Sequence, residues 1–545
     1  MTMNFAFIFA RSSRHGTGAL LGPGHPRPRT LLRPCAAALG LVSCLSLVSL
    51  AGCAVGPDYR KPTVQVPASF KEGVDWQRAQ ANPQASLSSS WWTVYDDSVL
   101  TGLVERSLKA NQSIVAAEAA YRVAQATVDA SEASLFPVVT AGMSATRSRT
   151  GSGTSSTTGS LGTTTGVAPG VRTNVSANVA ASWEPDLWGQ IRREVESSKA
   201  SAQASDAQLA GERLSIAATL ADDYFALRQA DVDIASLKQQ QAIDSRLLDM
   251  ARAGYAQGTA SNDDVLVAQD TLELAVAELQ STETAREQDE HAIAVLIGEP
   301  PASFTLTPRE DYAFKTPAVP LALPSQLLER RPDVVQAERT AAAANAKIGA
   351  AEAAFFPVLD LSVQGGFEHN TFAHLFSLPS RVWTIGPDLA ATLFDGGARS
   401  AAVRGARATY DEDAANYRQT VLAAFQSVED SLSSWNHLSR QEAAYADIYR
   451  RNQALFASQQ TQFKVGTTSE QNVLTQQLTL LLARQSLEDT RSLLVQSSIG
   501  LVKNLGGGWQ WGAEQSDMAA TENTGSPGKH PTTTAAAPKT TAKGD

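Results

Sequence analysis

The chain says the same thing twice. Residues Asn111 to Pro137 align without a gap on Arg331 to Pro357, at an offset of 220. Glu118 falls on Glu338, Ala124 on Ala344, Glu132 on Glu352, and Phe136-Pro137 on Phe356-Pro357. A second block aligns at an offset of 208. It sets Gly189 on Gly397, Val195 on Val403, Asp222 on Asp430, Gly258 on Gly466, Val265-Leu266 on Val473-Leu474, Gln269 on Gln477 and Gly298 on Gly506. The offsets differ by 12, so only the connection after each Phe-Pro changes length. A unit of about 200 residues is far too long for a solenoid repeat. It is a duplicated domain.

The 545 residues carry a net charge of -10, which argues against nucleic acid as the partner. Aromatics are only 7%, a composition suited to extended helix packing rather than a thick globular core. The three cysteines, Cys35, Cys44 and Cys53, all lie near the start, so no disulfide framework or Cys-based metal site is available beyond them.

Arg27, Arg29 and Arg33 precede an apolar run from about Ala36 to Leu50. The pattern is that of a secretory signal, and the run is short for a permanent membrane helix. Its end, Leu50-Ala51-Gly52-Cys53, resembles the bacterial lipobox. That resemblance implies cleavage of residues 1–52 and a covalent lipid on Cys53, and Ala54 after the cysteine favours the outer membrane. The plainer alternative is a signal peptide with an incidental cysteine.

Each repeat reads helix, strand, strand, helix, helix. Asn111 to Ser134 has no Pro or Gly and is rich in Ala, Glu and Gln, hence helical. The period then switches to two. Val171, Thr173, Val175, Ala177, Val179, Ala181 and Trp183 alternate with Arg172, Asn174, Ser176, Asn178, Ala180 and Ser182. In the second repeat Leu359, Leu361 and Val363 alternate with Asp360, Ser362 and Gln364. Trp383, Ile385, Leu389, Ala391 and Leu393 alternate likewise with polar neighbours. Strands of about ten residues, apolar outside and polar inside, match transmembrane barrel staves. An amphipathic hairpin over a soluble core is the competing reading. The uncharged Gly/Ser/Thr connection from Thr150 to Gly170 favours the barrel, as a solvated outer loop. Pro387 predicts a bulge or break in its strand.

The hairpins, at about 138–184 and 358–394, are followed by long helices at about 190–253 and 398–463. Ile216, Leu220, Leu227, Ile234 and Leu237 give the first a coiled-coil-like seam. Return helices follow at about 263–297 and 470–505. A first helix of about 25 residues and a return helix of about 35 together match a long helix of about 64, roughly 95 Å. The two shorter helices should therefore stack end to end along the long one. The segments 53–110 and 299–324, outside the repeats at 111–298 and 325–511, should form a belt at mid-height. The tail 512–545 is rich in Thr, Ala, Gly, Pro and Lys and is expected to be disordered.

Four strands cannot close a barrel, and open edges in lipid cost several kcal/mol per unpaired group. Two copies give eight strands, whose interior side chains nearly fill; three give twelve and leave a lumen. A hollow barrel continuous with a helical tube would carry solutes through the outer membrane.

The residues reached so far resemble the outer-membrane factors of tripartite efflux pumps, the TolC-like group and its OprM/NodT lipoprotein branch. Cys53 to Tyr59, Trp91-Trp92 with Asp96, Leu323-Pro324-Ser325 with Leu327 to Asp333, and Leu505 to Trp509 carry the resemblance. It implies a homotrimer with a twelve-stranded β-barrel joined to an α-helical barrel. The implied partners are a periplasmic adaptor and an inner-membrane transporter of the RND type. It also places two Gly-Thr turns at the periplasmic tip. Gly254, Gly258, Thr259 and Ser261 would face the adaptor on the outside; Gly466, Thr467 and Ser469 belong to the inner turn that narrows the channel. Relatives often carry an acidic ring there, whereas Glu470-Gln471-Asn472-Val473-Leu474-Thr475 offers one carboxylate beside the amide of Asn472 and the hydroxyl of Thr475. Glu470 forms a displaced ring, or the aperture is less cation-selective, or Glu470 merely satisfies a helix dipole, as Asp263 and Asp264 do.

No catalytic constellation is present. His291, His369, His374 and His437 lack metal-ligand spacing, and Gly396-Gly397 lacks the rest of a phosphate-loop pattern. Neither cofactor nor metal is expected. A duct for type I protein secretion and a non-conducting periplasmic coiled-coil lipoprotein remain as rival readings.

Overall fold

The computed structural model describes residues 54–67, 69–72, 90–149, 171–317 and 330–509. The leader with Cys53, the connection 150–170, residues 318–329 and the tail lie outside them. A 3-10 turn, Trp91–Tyr95, leads into α1 (Ser98–Ala110). The first repeat comprises α2 (Gln112–Ala133), β1 (Val138–Arg149), β2 (Val171–Trp183), α3 (Gln190–Ala256) and α4 (Asn262–Leu296). The second comprises α5 (Pro332–Ala353), β3 (Val358–His369), β4 (Arg381–Ala390), α6 (Ala398–Lys464) and α7 (Glu470–Asn504).

The long helices α3 and α6 have 67 residues each, about 100 Å of rise. The shorter helices α2 and α4, of 22 and 35 residues, both lie along α3 and meet end to end. Asn111 makes the joint. Its side chain caps α2 by accepting from the Ser113 amide at 2.9 Å, and its Nδ2 donates to the Leu296 carbonyl at 2.9 Å. This satisfies orphan groups at both helix ends. The second repeat has the same joint at the same offsets, with Arg331 donating to the Asn504 carbonyl at 3.1 Å. Gly298 and Gly506 complete the two joints, because a Cβ at either would strike a carbonyl, of Ala110 or Arg330.

The four strands form one antiparallel sheet in the order β1-β2-β3-β4. Register puts Met143, Ala177, Phe367 and Arg381 in one row, Ala141, Val179, Gly365 and Trp383 in the next, then Val139, Ala181, Val363 and Ile385. The opposite face carries Ser144, Ser176 and Glu368, and Thr140, Gln364 and Thr384. Side chains of opposed residues share a face, so the apolar/polar alternation holds through all four strands. The expected break at Pro387 is absent. Leu361 pairs with Pro387 in unbroken register; β4 is the last strand of the protomer's sheet, so the missing N–H breaks no ladder within it. Nor does β4 reach Leu393. It ends at Ala390, opposite the first residue of β3, and Leu393 beyond it is 97% exposed.

The main core sits at the belt. Trp91, Tyr95, Leu100 and Val104 pack with Leu220, Tyr224 and Phe225 of α3, Ile293 of α4, Val334 of α5, Tyr417 and Val421 of α6, and Val495 and Ile499 of α7. Each such buried side chain stabilises by about 1.5–3 kcal/mol. Asp97 organises the polar side. It caps α1 through the amides of Val99 and Leu100 and accepts from the hydroxyls of Tyr224 at 2.8 Å and Tyr312 at 3.1 Å. Burial opposes its charge, yet these donors hold its carboxyl below the usual range. Along the predicted seam Leu220, Leu227, Ile234 and Leu237 are buried, with Ile216 only partly so.

Among the described residues no helix is long and apolar enough to cross a membrane.

Candidate functional site: the helical tip

The two turns that join the long helices to their return helices are built alike. In the first, the Gly254 carbonyl accepts from the Thr259 amide at 2.8 Å and its hydroxyl at 3.1 Å. In the second, the Gln462 carbonyl accepts from the Thr467 amide at 2.9 Å and its hydroxyl at 3.1 Å. Gly258 and Gly466 take φ of 72° and 78°, the left-handed conformation that glycine adopts without a Cβ penalty. The Gly-Thr pair is thus the sequence signature of a tight turn held by a two-donor threonine.

The caps differ. Ser261 accepts from the Asp264 amide at 3.1 Å, and the Asp264 carboxylate accepts from the Ser261 amide at 2.8 Å, a complete capping box. The Ser261 donors hold the Asp264 carboxyl below its ordinary value. Ser469 accepts from the Asn472 amide at 3.3 Å, but the Asn472 side chain turns to the Thr468 hydroxyl at 3.1 Å. Half of the box is missing from the second turn.

Glu470, the first residue of α7, forms a bidentate ion pair with Arg246 of α3. The distances are 2.9 Å from Nε to Oε1 and 3.2 Å from Nη2 to Oε2. Hydrogen bonding by Arg246 holds the Glu470 carboxyl below the usual carboxylate range. Its charge is therefore matched within the protomer. The pair ties the first repeat to the start of the second repeat's return helix. Sequence reasoning missed Arg246. Its repeat equivalent is Ala454, and no periodic pattern points to it.

Behind the turns a cavity of about 610 Å³ opens between α3, α4 and α7, lined by Asp244, Thr259, Asp264, Gln471 and Thr475 among others. Thr475, expected at the aperture, lines this cavity. Asp244 is 1% exposed, and burial pushes its carboxyl up, offset in part by Gln240.

Higher on the same helices a second group of carboxylates is held together by amides. Gln229 donates to Asp233 at 3.1 Å and to Asp489 of α7 at 2.5 Å, and Gln485 donates to Asp233 at 3.3 Å. Burial, with the neighbouring charge of Asp233, pushes Asp489 up to about 7. Burial with the charge of Asp223 pushes Asp222 up to about 7. Asp222 is echoed by Asp430 in the repeat, but Asp233, Asp244 and Asp489 had no sequence signal beyond a polar residue on a helix face.

In the second hairpin loop the rings of His369 and His374 lie 5.6 Å apart, and His369 Nδ1 is engaged by the Thr371 hydroxyl at 3.0 Å. Cys53 lies outside the described residues.

Known proteins match this architecture along its length. A family model described as outer membrane efflux protein matches residues 103–299 and 323–507, so it too finds the unit twice. The probable efflux pump outer membrane protein TtgC of Pseudomonas putida is 29% identical over 476 residues, covering 87% of this chain and 96% of that protein. The pyoverdine export outer membrane protein OpmQ of Pseudomonas aeruginosa is 30% identical over 444 residues, covering 79% and 90%. Among solved structures, the outer-membrane channel OprN superposes with a TM-score of 0.73 at 30% identity, covering 84% of this chain and all of that one. The Campylobacter jejuni CmeC channel superposes at 0.74 with 22% identity, covering 86% and 98%, and so speaks to fold alone. The duplicated helical stave with its hairpin is a TolC-like fold, and the chain belongs to the outer membrane efflux protein family.

Proposed function

We propose that three copies of this chain form a closed duct that passively conducts solutes expelled by an inner-membrane transporter of the RND type, reached through a periplasmic adaptor. Membership of the family makes the chain an outer-membrane component of an efflux system. The observation that carries the trimer is the sheet. It is apolar on one face and ends in two unpaired edges, β1 and β4. Such edges are intolerable in lipid, and three sheets give twelve strands with room for a lumen. In this reading the chain does no chemistry of its own, uses no cofactor, and is held additionally by acyl chains on Cys53.

At the tip, the first turn (Gly254, Gly258, Thr259, Ser261) faces the adaptor, and the second (Gly466, Thr467, Ser469, with Glu470, Asn472 and Thr475) narrows the channel. The Arg246 pair supports an aperture that is weakly cation-selective, since it neutralises the one carboxylate of that stretch. Substrate choice is assigned to the partner transporter. Relatives at 29% and 30% identity carry names as different as toluene efflux and pyoverdine export.

Native mass spectrometry of the detergent-purified protein tests the assembly. Three copies, each acylated at residue 53 and losing the acyl mass in Cys53→Ser, are expected. A stable dimer or a monomer would contradict the twelve-stranded duct.

A further inference from the structure

The apolar face of the sheet carries charge at one end only. Arg381 shares that face with Phe367, Ala177 and Met143, one row from Trp383 and Gly365. Nearer the hairpin loops the same face holds Arg147, opposite Thr173, and Arg149, opposite Val171. On the other side of Arg381, toward the helices, it holds Val139, Val363, Ile385, Leu361 and Leu389, with no charge. The polar face mixes signs, with Arg172, Glu368, Asp360 and Asp388. The one-sign bias therefore belongs to the apolar face alone.

All three guanidiniums are exposed, and none has an ion pair among the described residues. The adjoining connection 150–170 contains no Asp or Glu that would pair with them. Beside Arg381 a groove of about 620 Å³ is cut into the same face. Small residues, Ala141, Ala177 and Gly365, form its floor; Phe367 and Phe376 rise beside it, their rings 5.5 Å apart; Arg381 stands at its edge. That volume suits a bound small molecule or a lipid chain.

An apolar slot with Arg381 at its edge, and with Arg147 and Arg149 nearer the loops on the same face, is complementary to an anionic amphiphile, because guanidinium binds phosphate bidentately and is weakly hydrated. The loop end of the hairpins points away from the helices. In a barrel whose helices lie in the periplasm, that end sits in the outer leaflet. We propose that Arg147, Arg149, Arg381 and the groove at Gly365 bind a phosphorylated glycolipid of the outer leaflet, an acyl chain lying in the groove beside Arg381 and its separate phosphates shared between Arg381 on β4 and the Arg147/Arg149 pair on β1. The proposal rests on reading the sheet as part of a lipid-embedded barrel.

The test is native mass spectrometry of the full-length protein after exchange with bisphosphorylated lipid A, dephosphorylated lipid A or phosphatidylglycerol. Retention of the bisphosphorylated lipid on the intact trimer, in preference to the other two, is expected. Each Arg→Ala change should weaken retention about fivefold and the triple variant by on the order of a hundredfold. Gly365→Leu should also weaken it by filling the groove, and it should fold, since a Cβ there meets nothing within 4 Å. Arg172→Ala removes an arginine near the loop end of the opposite face and should change nothing. Retention equal to that of the dephosphorylated lipid or of phosphatidylglycerol, or unchanged in the triple variant or in Gly365→Leu, or lost equally in Arg172→Ala, would overturn the proposal. A trimer that binds none of the lipids overturns it while leaving the duct intact; absence of a trimer would instead fail the duct reading.

Discussion

Helices α3 and α6 are copies of one another with the same length, yet 26 residues of α3 are buried and only 7 of α6. The difference runs along the whole helix, and past Leu432 α6 has no buried residue at all. Ile243 is 5% exposed, whereas its equivalent is Arg451; Leu248 is 3% exposed, and Leu455 beside its equivalent is 54% exposed. Helix α3 is enclosed within the protomer, between α2, α4, α5 and α7. Helix α6 keeps a long face open, and in the proposed trimer that face is free for a neighbouring chain. Duplication supplied two equal staves, and substitution then made one of them internal and left the other open.

The belt shows the same divergence. On the first repeat it is held by ions. Asp231 takes Arg228 at 2.7 Å and Arg286 at 2.6 Å, and these groups with Glu290 grip the backbone of Leu306, Thr307 and Arg309. At the equivalent positions the second repeat has Asn436, Ser439, Leu494 and Ser498. There Tyr95 bonds Ser498 at 2.7 Å amid apolar packing. Asp231→Ala should therefore have the largest effect on stability. It leaves the buried Arg228 without its counter-charge and Arg286 with Glu290 alone, at about 3–5 kcal/mol, and lowers the midpoint of thermal unfolding. Ser439→Ala, its repeat partner, should stay within about 0.5 kcal/mol. Equal losses would erase the contrast.

The open face of α6 gives the next prediction. Leu455→Glu should leave the protomer folded by circular dichroism and shift the trimer toward monomer by sedimentation in detergent, with a loss of about 1.5–3 kcal/mol for each leucine that fails to be buried. A variant that stays fully trimeric would move the interface elsewhere.

Acidity sharpens the comparison further, because the raised carboxyls sit where α3 meets α7. Asp489 holds its proton more tightly folded than unfolded. The stability this contributes is complete below the ordinary value of 3.8 and is lost as pH rises through about 7. Asp489→Asn should accordingly raise the unfolding midpoint near pH 8 and make no difference near pH 4. A benefit that persists at low pH would mean the effect is not proton linkage.

The smallest effect belongs to the caps. Asn472→Asp should supply the missing half of the second capping box and stabilise by about 0.3–1 kcal/mol. Asp264→Asn should cost about as much at the first turn.

Much of this was legible before any coordinates. Period-two runs marked the strands, because a face in lipid and a face in water leave an unmistakable alternation. Helix lengths alone implied the stack, since rise per residue is fixed, and the Asn111 and Arg331 joints are its hardware. Gly258-Thr259 and Gly466-Thr467 announced the turns through the φ they require. Pro387 was misread because edge position is a property of strand order, which sequence does not display. The Arg246–Glu470 pair and the Asp233–Gln229–Asp489 bridge were invisible for a related reason. They join residues more than two hundred positions apart, with no repeat partner to echo them. The unequal burial of α3 and α6 was written in exchanges such as Ile243 for Arg451, but it becomes readable only once the copies are set side by side in space.

The most direct test of the duct itself is single-channel recording in planar bilayers, comparing the wild-type protein with Arg246→Ala. With the tie between α3 and Glu470 cut, the second turn should be released and the channel should show larger, longer openings than the wild type, with cation preference rising as Glu470 loses its counter-charge. A purified trimer that conducts in neither form would contradict the claim that this protein is a channel.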